Sequence, residues 1–250
     1  MYSIIINQNE GKKMKTTNKP VILAVLAMLT LLISFGCSET LVEPEVNVNG
    51  DGVTKVKARK SFSQTVDLTS QSFLKVEGIN GTVTVESVSG TNQVSISGEK
   101  VVSADTYQDA NSHLKDIEIE IDELTSELLV KTVQPQFSIG RSYAVDYTIK
   151  VPDHINVIVK NDNGIITGNV TVPLNGTVDM SSHNGIIDLE IPQNTSADFA
   201  VSLTNGVISV HNLTLQNRVS TGKSLHGRLG EGQGVISLKT TNGNIDVSGY

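Results

Sequence analysis

Asn-Gly pairs recur through the second half of the chain, and their spacing constrains the fold more than any other feature. Each pair follows an alternating apolar and polar run and precedes an Ile or Val by one or two places. The first three asparagines lie 21 residues apart. The pairs are Asn163 and Gly164, Asn184 and Gly185, Asn205 and Gly206, and Asn242 and Gly243, with Asn80 and Gly81 as an outlying copy.

Both residue types accept a positive φ, so a chain can turn within two residues at such a step. A fixed step predicts equivalent corners in successive coils, and each coil needs its neighbours to bury its apolar stripe. We therefore predict an all-β fold over residues 61–250, a right-handed parallel β-solenoid (β-helix) that is most regular from about residue 155. The alternative is an antiparallel β-sandwich in which every Asn-Gly pair turns a hairpin.

The composition agrees with many short strands. Only 4% of the residues are aromatic, there is no Trp, and Gly occurs 21 times, while the apolar content lies mainly in Val and Ile. One segment, 103–114, instead has helix-cap residues and apolar residues near a 3.6 spacing, which predicts a single short helix. Alternation then predicts two strands, 117–121 and 127–133, that pair with each other.

The N-terminal part of the chain has the pattern of a secretory signal peptide. Residues 11–19 are basic, residues 21–35 are apolar except for Thr30 and Ser34, and small Gly36 follows. We predict a lipoprotein signal peptide over 1–36 and a flexible polar tether over 37–60. Met14 is an alternative start.

Cys37 is the sole cysteine, so it cannot form an internal disulfide. Its position directly after the apolar run resembles the cleavage and acylation site of bacterial lipoproteins, although Ser34 and Phe35 depart from the usual pattern. The resemblance implies lipidation of Cys37 and a membrane attachment through that lipid. It also implies a cell-envelope, outer-membrane location, with the periplasmic and the surface side both open.

The region from about Phe73 to Tyr250 resembles the adhesin-like β-strand-repeat families of bacterial envelope lipoproteins (the DUF4097-like and DUF2807-like families). The resemblance lies in the short helix near Ala110, the run from Asp146 to Pro152 and the repeated Asn-Gly units. It implies a β-solenoid on an exported protein. It supplies no catalytic residue.

Charge and histidine spacing argue against several classes of function. The net charge is −7, and loss of residues 1–36 would remove four lysines and one glutamate, so we expect no nucleic-acid partner. No two histidines stand at a metal-ligand spacing, and we predict neither a metal nor another cofactor. The histidines are His113, His154, His183, His211 and His226. An acidic run, which we interpret as a solvated face, contains Asp116, Glu118, Glu120, Asp122 and Glu123.

The best polar constellation for catalysis depends on stacked corners. Stacking would bring Asp162, His183, Thr204 and Thr241 to one edge, with Asp188 near it. We interpret these side chains as polar caps on exposed corners and predict that the protein is not an enzyme. The expected function is a non-catalytic binding, adhesion or structural module whose partner is an envelope protein or a glycan. The alternatives are an envelope-stress sensing lipoprotein and a polysaccharide-active β-helix enzyme.

Overall fold

The computed structural model describes residues 41–48, 54–172 and 176–250. These residues form 15 strands that are linked by hydrogen bonds into one mixed sheet, together with a short α-helix and a 3₁₀ turn. The prediction of an all-β fold with one short helix is confirmed. The sheet is not parallel throughout.

The strands of the first part of the chain precede residue 153. They are β1 (Leu41–Val48), β2 (Thr54–Asp67), β3 (Phe73–Val88), β4 (Gln93–Ala104), β5 (Glu118–Glu123), β6 (Glu127–Val133) and β7 (Ser142–Pro152). Between β4 and β5 lie the helix α1 (Tyr107–Ser112) and the 3₁₀ turn Leu114–Asp116.

The strands of the second part carry the four later Asn-Gly pairs. They are β8 (Asn156–Asn169), β9 (Thr177–Ile191), β10 (Ala197–Asn205), β11 (Ile208–His211), β12 (Gln216–Ser220), β13 (Ser224–Leu229), β14 (Gly234–Asn242) and β15 (Ile245–Gly249).

Each Asn-Gly pair lies at a step within one strand or between two consecutive strands, which we call a corner. Strands β3, β8 and β9 continue through their corners, whereas β10 and β11, and β14 and β15, are separated by theirs. Neighbouring segments run parallel on both sides of the corner, for example β8 beside β9 from Val157 to Asn169. None of these corners is therefore a hairpin turn between antiparallel neighbours.

The segments that contain the corners do not stack in chain order. Before the corner the order is β3, β8, β9, β14, β10, and after it the order is β3, β8, β9, β15, β11. The last segment of the chain, 234–249, thus lies between the segments 177–191 and 197–211. If the coils stacked in chain order, the segment 197–211 would lie next to 177–191, and 234–249 would be the outermost of the three.

Antiparallel strands extend the sheet at both ends of this parallel part. Strands β1, β2, β4 and β7 pair antiparallel in that order, and β7 then pairs parallel with β3. At the other end β10, β13 and β12 are antiparallel. Residues 54–60, which were predicted to belong to the tether, form the first part of β2, and Val56 to Lys60 pair with β4.

The core lies between the two halves of the segments. Val157 and Val159 of β8 before the corner, Ile166 of β8 after it, and Val170 directly after the strand are all fully or nearly fully buried. The same alternation recurs in the stacked neighbours, and the buried residues form one hydrophobic cluster. Because each strand presents alternate residues to the core, the intervening residues of every segment line the outer surface at matching levels.

The predicted helix and the strand pair after it are present. The side chain of Thr106, three residues later than the first predicted cap, accepts a hydrogen bond from the Asp109 N–H at the start of α1. Ala110 and Leu114 are buried on the face toward the sheet. Strands β5 and β6 pair antiparallel, with Glu118 opposite Val133.

Candidate functional site

The asparagines of the corners form a continuous ladder of side-chain amides. Asn205 Nδ2 donates to Asn242 Oδ1 at 2.8 Å, Asn242 donates to Asn184 at 2.7 Å, and Asn184 donates to Asn163 at 2.9 Å. Asn163 then donates to Asn80 at 2.8 Å. A primary amide both donates and accepts, so one residue type can propagate such a ladder across parallel strands.

The glycines of the corners form a second column, in which the backbones are in close approach. A Cβ atom on Gly164 would clash with the carbonyl oxygen of Gly81, and one on Gly185 would clash with that of Gly164. Gly243 faces Gly185 in the same way, and Gly206 faces Gly243. A side chain at any of these positions would therefore push adjacent strands apart.

The corner asparagines are not the positive-φ turn residues that the sequence pattern predicts. Among the described residues other than glycine, only Asn212 and Asn217 have positive φ angles, and both lie outside the corners. The corner asparagines have ordinary backbone conformations, so the side-chain ladder accounts for the residue type. The expectation that Asn turns the chain through a positive φ is wrong.

Buried polar side chains, which the residue pattern did not predict, support the inside of the corners. Asn161 donates to the carbonyl oxygens of Gly81, at 3.0 Å, and of Asn163, at 3.2 Å. Thr240 donates to the carbonyl oxygen of Gly185 at 3.1 Å. These bonds satisfy carbonyl groups that the bend removes from the regular ladder of backbone hydrogen bonds.

The outer surface beside the corners carries the predicted polar row. Asp162, His183, Thr241 and Thr204 each precede a ladder asparagine by one residue, so they lie side by side in the order β8, β9, β14, β10. Adjacent strands are about 4.8 Å apart. The structure thus brings Asp162 next to His183, as expected. Asp188 lies beyond the corner, in the other half of β9, and is not part of this row.

A second row lies two residues before the first. Lys160 pairs with Ser181, which pairs on its other side with Lys239, so the two lysines flank a serine at about 10 Å from each other. Together with Asp162 and His183 these residues line an open depression of about 330 Å³. We call these five residues the corner groove.

The corner groove continues into a neighbouring depression of about 250 Å³ lined by Glu77 and Lys131 as well as by Lys160 and Asp162. Glu77 forms an ion pair with Lys75 at 2.8 Å, and this hydrogen-bonded pairing lowers the pKa of the Glu77 carboxyl, with smaller contributions from Lys160 and Lys131.

Neither Lys160 nor Lys239 has a carboxylate within ion-pair distance among the described residues. The groove therefore holds two lysines and one carboxylate, Asp162, so it has a local excess of positive charge on a chain whose net charge is negative.

The surface beyond the corner has the opposite character. Asp188 pairs with Asp246 on the adjacent strand, and Glu190 lies two residues further along. Partial burial, together with the neighbouring charges of Asp246 and Glu190, raises the pKa of the Asp188 carboxyl. His211 lies 3.6 Å from Asp246. The two outer surfaces thus differ in charge although the same strands build both.

The other candidate residues are dispersed over the molecule. Asp116 lies in the 3₁₀ turn, and its carboxylate contacts His113 at 2.6 Å, so it does not continue the row formed by Glu118, Glu120 and Asp122 on β5. In the described part of the chain there is no cluster of three or more His, Cys, Asp or Glu residues able to hold a metal ion.

Comparison with known proteins gives one distant structural likeness. No family model matches the chain, and no curated protein was found to match it. A proposed cell adhesion protein from Clostridium sporogenes ATCC 15579, known from a crystal structure, superposes with a TM-score of 0.43 at 10% identity. The match covers 77% of this chain and 100% of the other. A likeness at this level establishes neither fold nor function, so the interpretation depends on the residues of this chain.

Cys37 lies outside the described residues, so the structure does not bear on its lipidation. Within residues 41–48, 54–172 and 176–250, no helix is both long and apolar enough to cross a membrane.

Proposed function

We propose that this protein is a non-catalytic binding module of the bacterial cell envelope, and that the corner groove is its binding surface. The partner is an envelope glycan that carries carboxylate or phosphate groups. The alignment of Lys160, Ser181 and Lys239 on three adjacent strands is the observation that carries the proposal. These side chains project from parallel strands that are joined by backbone hydrogen bonds and, at the neighbouring corner, by the amide ladder, so the groove is preorganised before a ligand arrives.

The chemistry of the groove suits an anionic polymer with many hydroxyl groups. Two ammonium groups without ion-pair partners can neutralise acidic groups of a glycan, while Ser181, Asp162 and His183 offer donors and acceptors for hydroxyls. The groove is open along the sheet, which allows a chain to pass through it. The described surface shows no row of stacked aromatic rings, and the proposed affinity is therefore electrostatic and sensitive to salt.

We further propose that the parallel part of the sheet is a solenoid, with the segments that contain the corners as its coils. The register that places all five ladder asparagines at one level supports this description. In this arrangement the groove runs across successive coils, so a repetitive ligand can contact several coils at once.

Binding to an acidic polysaccharide tests the proposal. Polygalacturonate and a neutral polymer such as dextran would be titrated against the chain from residue 37 onward, with Cys37→Ser. We expect binding of polygalacturonate only, weakened by salt, and at least tenfold weaker for the Lys160→Ala, Lys239→Ala variant. The control pair Lys115→Ala and Lys150→Ala removes the same charge elsewhere on the exposed surface. Equal losses in both variants would show that net charge, and not the groove, determines binding.

The attachment to the membrane through Cys37 is the second part of the proposal. It is supported by the signal-like segment before Cys37 and by its position as the sole cysteine. Metabolic labelling with a fatty acid in a bacterial host should label the wild-type chain but not Cys37→Ser. Surface proteolysis of intact cells then distinguishes exposure outside the cell from a periplasmic location. An unlabelled wild-type chain would refute the anchor and leave the groove unaffected.

One observation favours a polysaccharide-active enzyme as the second candidate. Asp162 and His183 are neighbours in the groove, an acid and a base on adjacent strands. Sugar release from an acidic polysaccharide, abolished by Asp162→Asn with His183→Gln, would support that reading. Binding without release supports the module.

A further inference from the structure

Two large apolar side chains are almost completely exposed to solvent at the tip of one loop. Phe137 is 93% exposed and Ile139 is 98% exposed, far more than any other large apolar residue in the described part of the chain. They alternate with half-buried Ser138, so both point outward, as alternate residues of a strand do. We call the segment 135–139 the knob.

Hydrogen bonds at Ser138 and at the two residues that follow the knob attach it to the rest of the molecule. Arg141 donates two hydrogen bonds to the Asp109 carboxylate, at 2.9 and 2.8 Å, and Ser138 Oγ donates to the Arg141 carbonyl at 2.6 Å. Lys55 Nζ donates to the Gly140 carbonyl at 2.9 Å and contacts Asp105 at 2.6 Å. A pinned loop with two exposed apolar side chains loses little entropy when those side chains are buried by a partner.

At the opposite end of the sheet the core is incomplete. Strand β11 pairs with β15 and with no other strand among the described residues. Ile245 and Val247 of β15 are fully buried, whereas the matching Ile208 and Val210 of β11 are only partly buried. Before the corner the same end is covered by β13 and β12, so the gap exists only beyond the corner.

This gap, which we call the slot, is a cavity of about 240 Å³. One wall is formed by Val207, Ile208 and Val210 beside the corner glycine Gly206, and the other by residues of β12, β13 and the turn between them: Arg218, Ser220, Thr221, Gly222 and Leu225. Backbone groups also face it. The carbonyl oxygen of Val207 accepts a hydrogen bond from the N–H of Ile245, so the backbone groups of Val207 point toward β15. Because these directions alternate along a strand, the N–H and C=O groups of Ile208 and Val210 point away from β15 and toward the slot.

We propose that the slot of one molecule accepts the knob of a second copy as an added strand. The inner strands β9, β15 and β11 each present two core side chains spaced by two residues, and Phe137 and Ile139 supply such a pair. Arg218 at the slot has no ion pair within 4 Å in the described residues. It can therefore pair with a carboxylate of a second copy such as Asp105 beside the knob, whose side chain is 72% exposed although it also contacts Lys55.

The pairing must be between molecules. The knob precedes β7, and five strand spacings separate β7 from β11, about 24 Å. While the loop remains attached to α1 it cannot enter its own slot. Since each molecule has one knob and one slot at different ends, the contact joins unlike surfaces and can continue from copy to copy. This inference is independent of the groove and its ligand.

Sedimentation velocity on the chain from residue 37 onward, with Cys37→Ser, tests the contact. The wild type should form oligomers that grow between about 1 and 100 µM, the range expected of a small interface. The knob variant Phe137→Ser, Ile139→Ser and the slot variant Val207→Glu, Arg218→Glu change exposed residues, and each alone should associate at least tenfold more weakly. Their equimolar mixture should form heterodimers but nothing larger.

A directed disulfide identifies the contact itself. Ile139→Cys in one molecule and Val207→Cys in another should cross-link under mild oxidation, and peptide mass spectrometry should recover the 139–207 pair. Exposed Val235→Cys, paired with Ile139→Cys, is the control, because it lies outside the slot. A monomeric wild type at about 100 µM, or variants that do not complement each other, would overturn the proposal.

Discussion

Replacement of Gly164 by alanine tests whether the close approach of glycine backbones sets the spacing of the parallel strands. The added Cβ would clash with the carbonyl oxygen of Gly81 and would lie 2.9 Å from its carbonyl carbon and 3.2 Å from its nitrogen. These atoms belong to the backbone of β3, which pairs with β8 at this level and whose Gly81 carbonyl accepts a hydrogen bond from Asn161, so they cannot rotate away as a flexible side chain would. Gly164 also has a φ of 127°, which L residues rarely adopt.

The expected cost is the sum of two effects. A residue other than glycine in such a conformation costs about 1–3 kcal/mol. Forcing extra atoms into a packed site costs about 1–3 kcal/mol, and more where only backbone can move. We therefore expect Gly164→Ala to lower the free energy of unfolding by about 2–6 kcal/mol. For a domain of this size that corresponds to a fall in Tm of roughly 10 °C.

Urea unfolding followed by circular dichroism measures this loss, and two other glycines separate its causes. Gly90 has a φ of 74° with nothing within 4 Å of a Cβ, so Gly90→Ala reports the conformational cost alone. Gly222 has open space and no unusual φ, so Gly222→Ala should be nearly neutral. If Gly164→Ala costs no more than Gly90→Ala, the glycine column does not determine the strand spacing.

Three smaller predictions concern single side chains. Asn184→Ala removes one donor and one acceptor from the amide ladder and should lower the free energy of unfolding in urea by about 1–2 kcal/mol. The control Asn194→Ala, in an exposed loop, should change it by no more than about 0.5 kcal/mol. Equal effects would mean that the ladder adds no stability. Tyr147→Phe removes the 2.8 Å hydrogen-bond partner of the buried Thr132 hydroxyl and should lower the free energy of unfolding by about 1–2 kcal/mol. Thr132→Val in the same chain should restore most of this loss. If the double variant instead shows the sum of the two single losses, the reasoning is wrong. The raised pKa of Asp188 means that its charged form is disfavoured in the folded state, so Asp188→Asn should stabilise the protein by a few tenths of a kcal/mol at pH 7. That gain should disappear as the pH falls through the folded pKa toward about 3.9, and a gain that persists at pH 3 would refute the assignment.

The sequence indicated the level of the corners but not their order. Asn-Gly pairs at one spacing predict equivalent positions, and the register places all of them at one level. The insertion of segment 234–249 between 177–191 and 197–211 has no sequence signal, because every segment offers similar Val and Ile pairs to its neighbours. The longer interval from Asn205 to Asn242 accommodates the hairpin of β12 and β13, which covers β10 on its free side.

The candidate site was predicted in part. The adjacency of Asp162 and His183 followed from stacking, since each precedes a ladder asparagine by one residue. The lysines of the corner groove were missed, although a signal exists: Lys160 and Lys239 both stand three residues before a ladder asparagine. The knob had no signal, since exposure of Phe137 depends on how the loop is pinned to α1 and not on its local pattern.

The two ends of the amide ladder differ, and the difference bears on how the sheet ends. At one end Asn80 Nδ2 donates to the Tyr143 carbonyl at 3.0 Å, so a backbone carbonyl of β7 terminates the ladder. At the other end Asn205 donates to Asn242, and its own Oδ1 has no donor among the described residues. The same end holds the unpaired edge of β11 and the partly buried Ile208 and Val210. An amide ladder, a backbone edge and an apolar core are thus all open at one place, beyond the corner, while β13 and β12 cover the strands before it. Independent kinds of interaction that remain unfilled at one site indicate a position that another strand occupies, and the knob of a second copy supplies one.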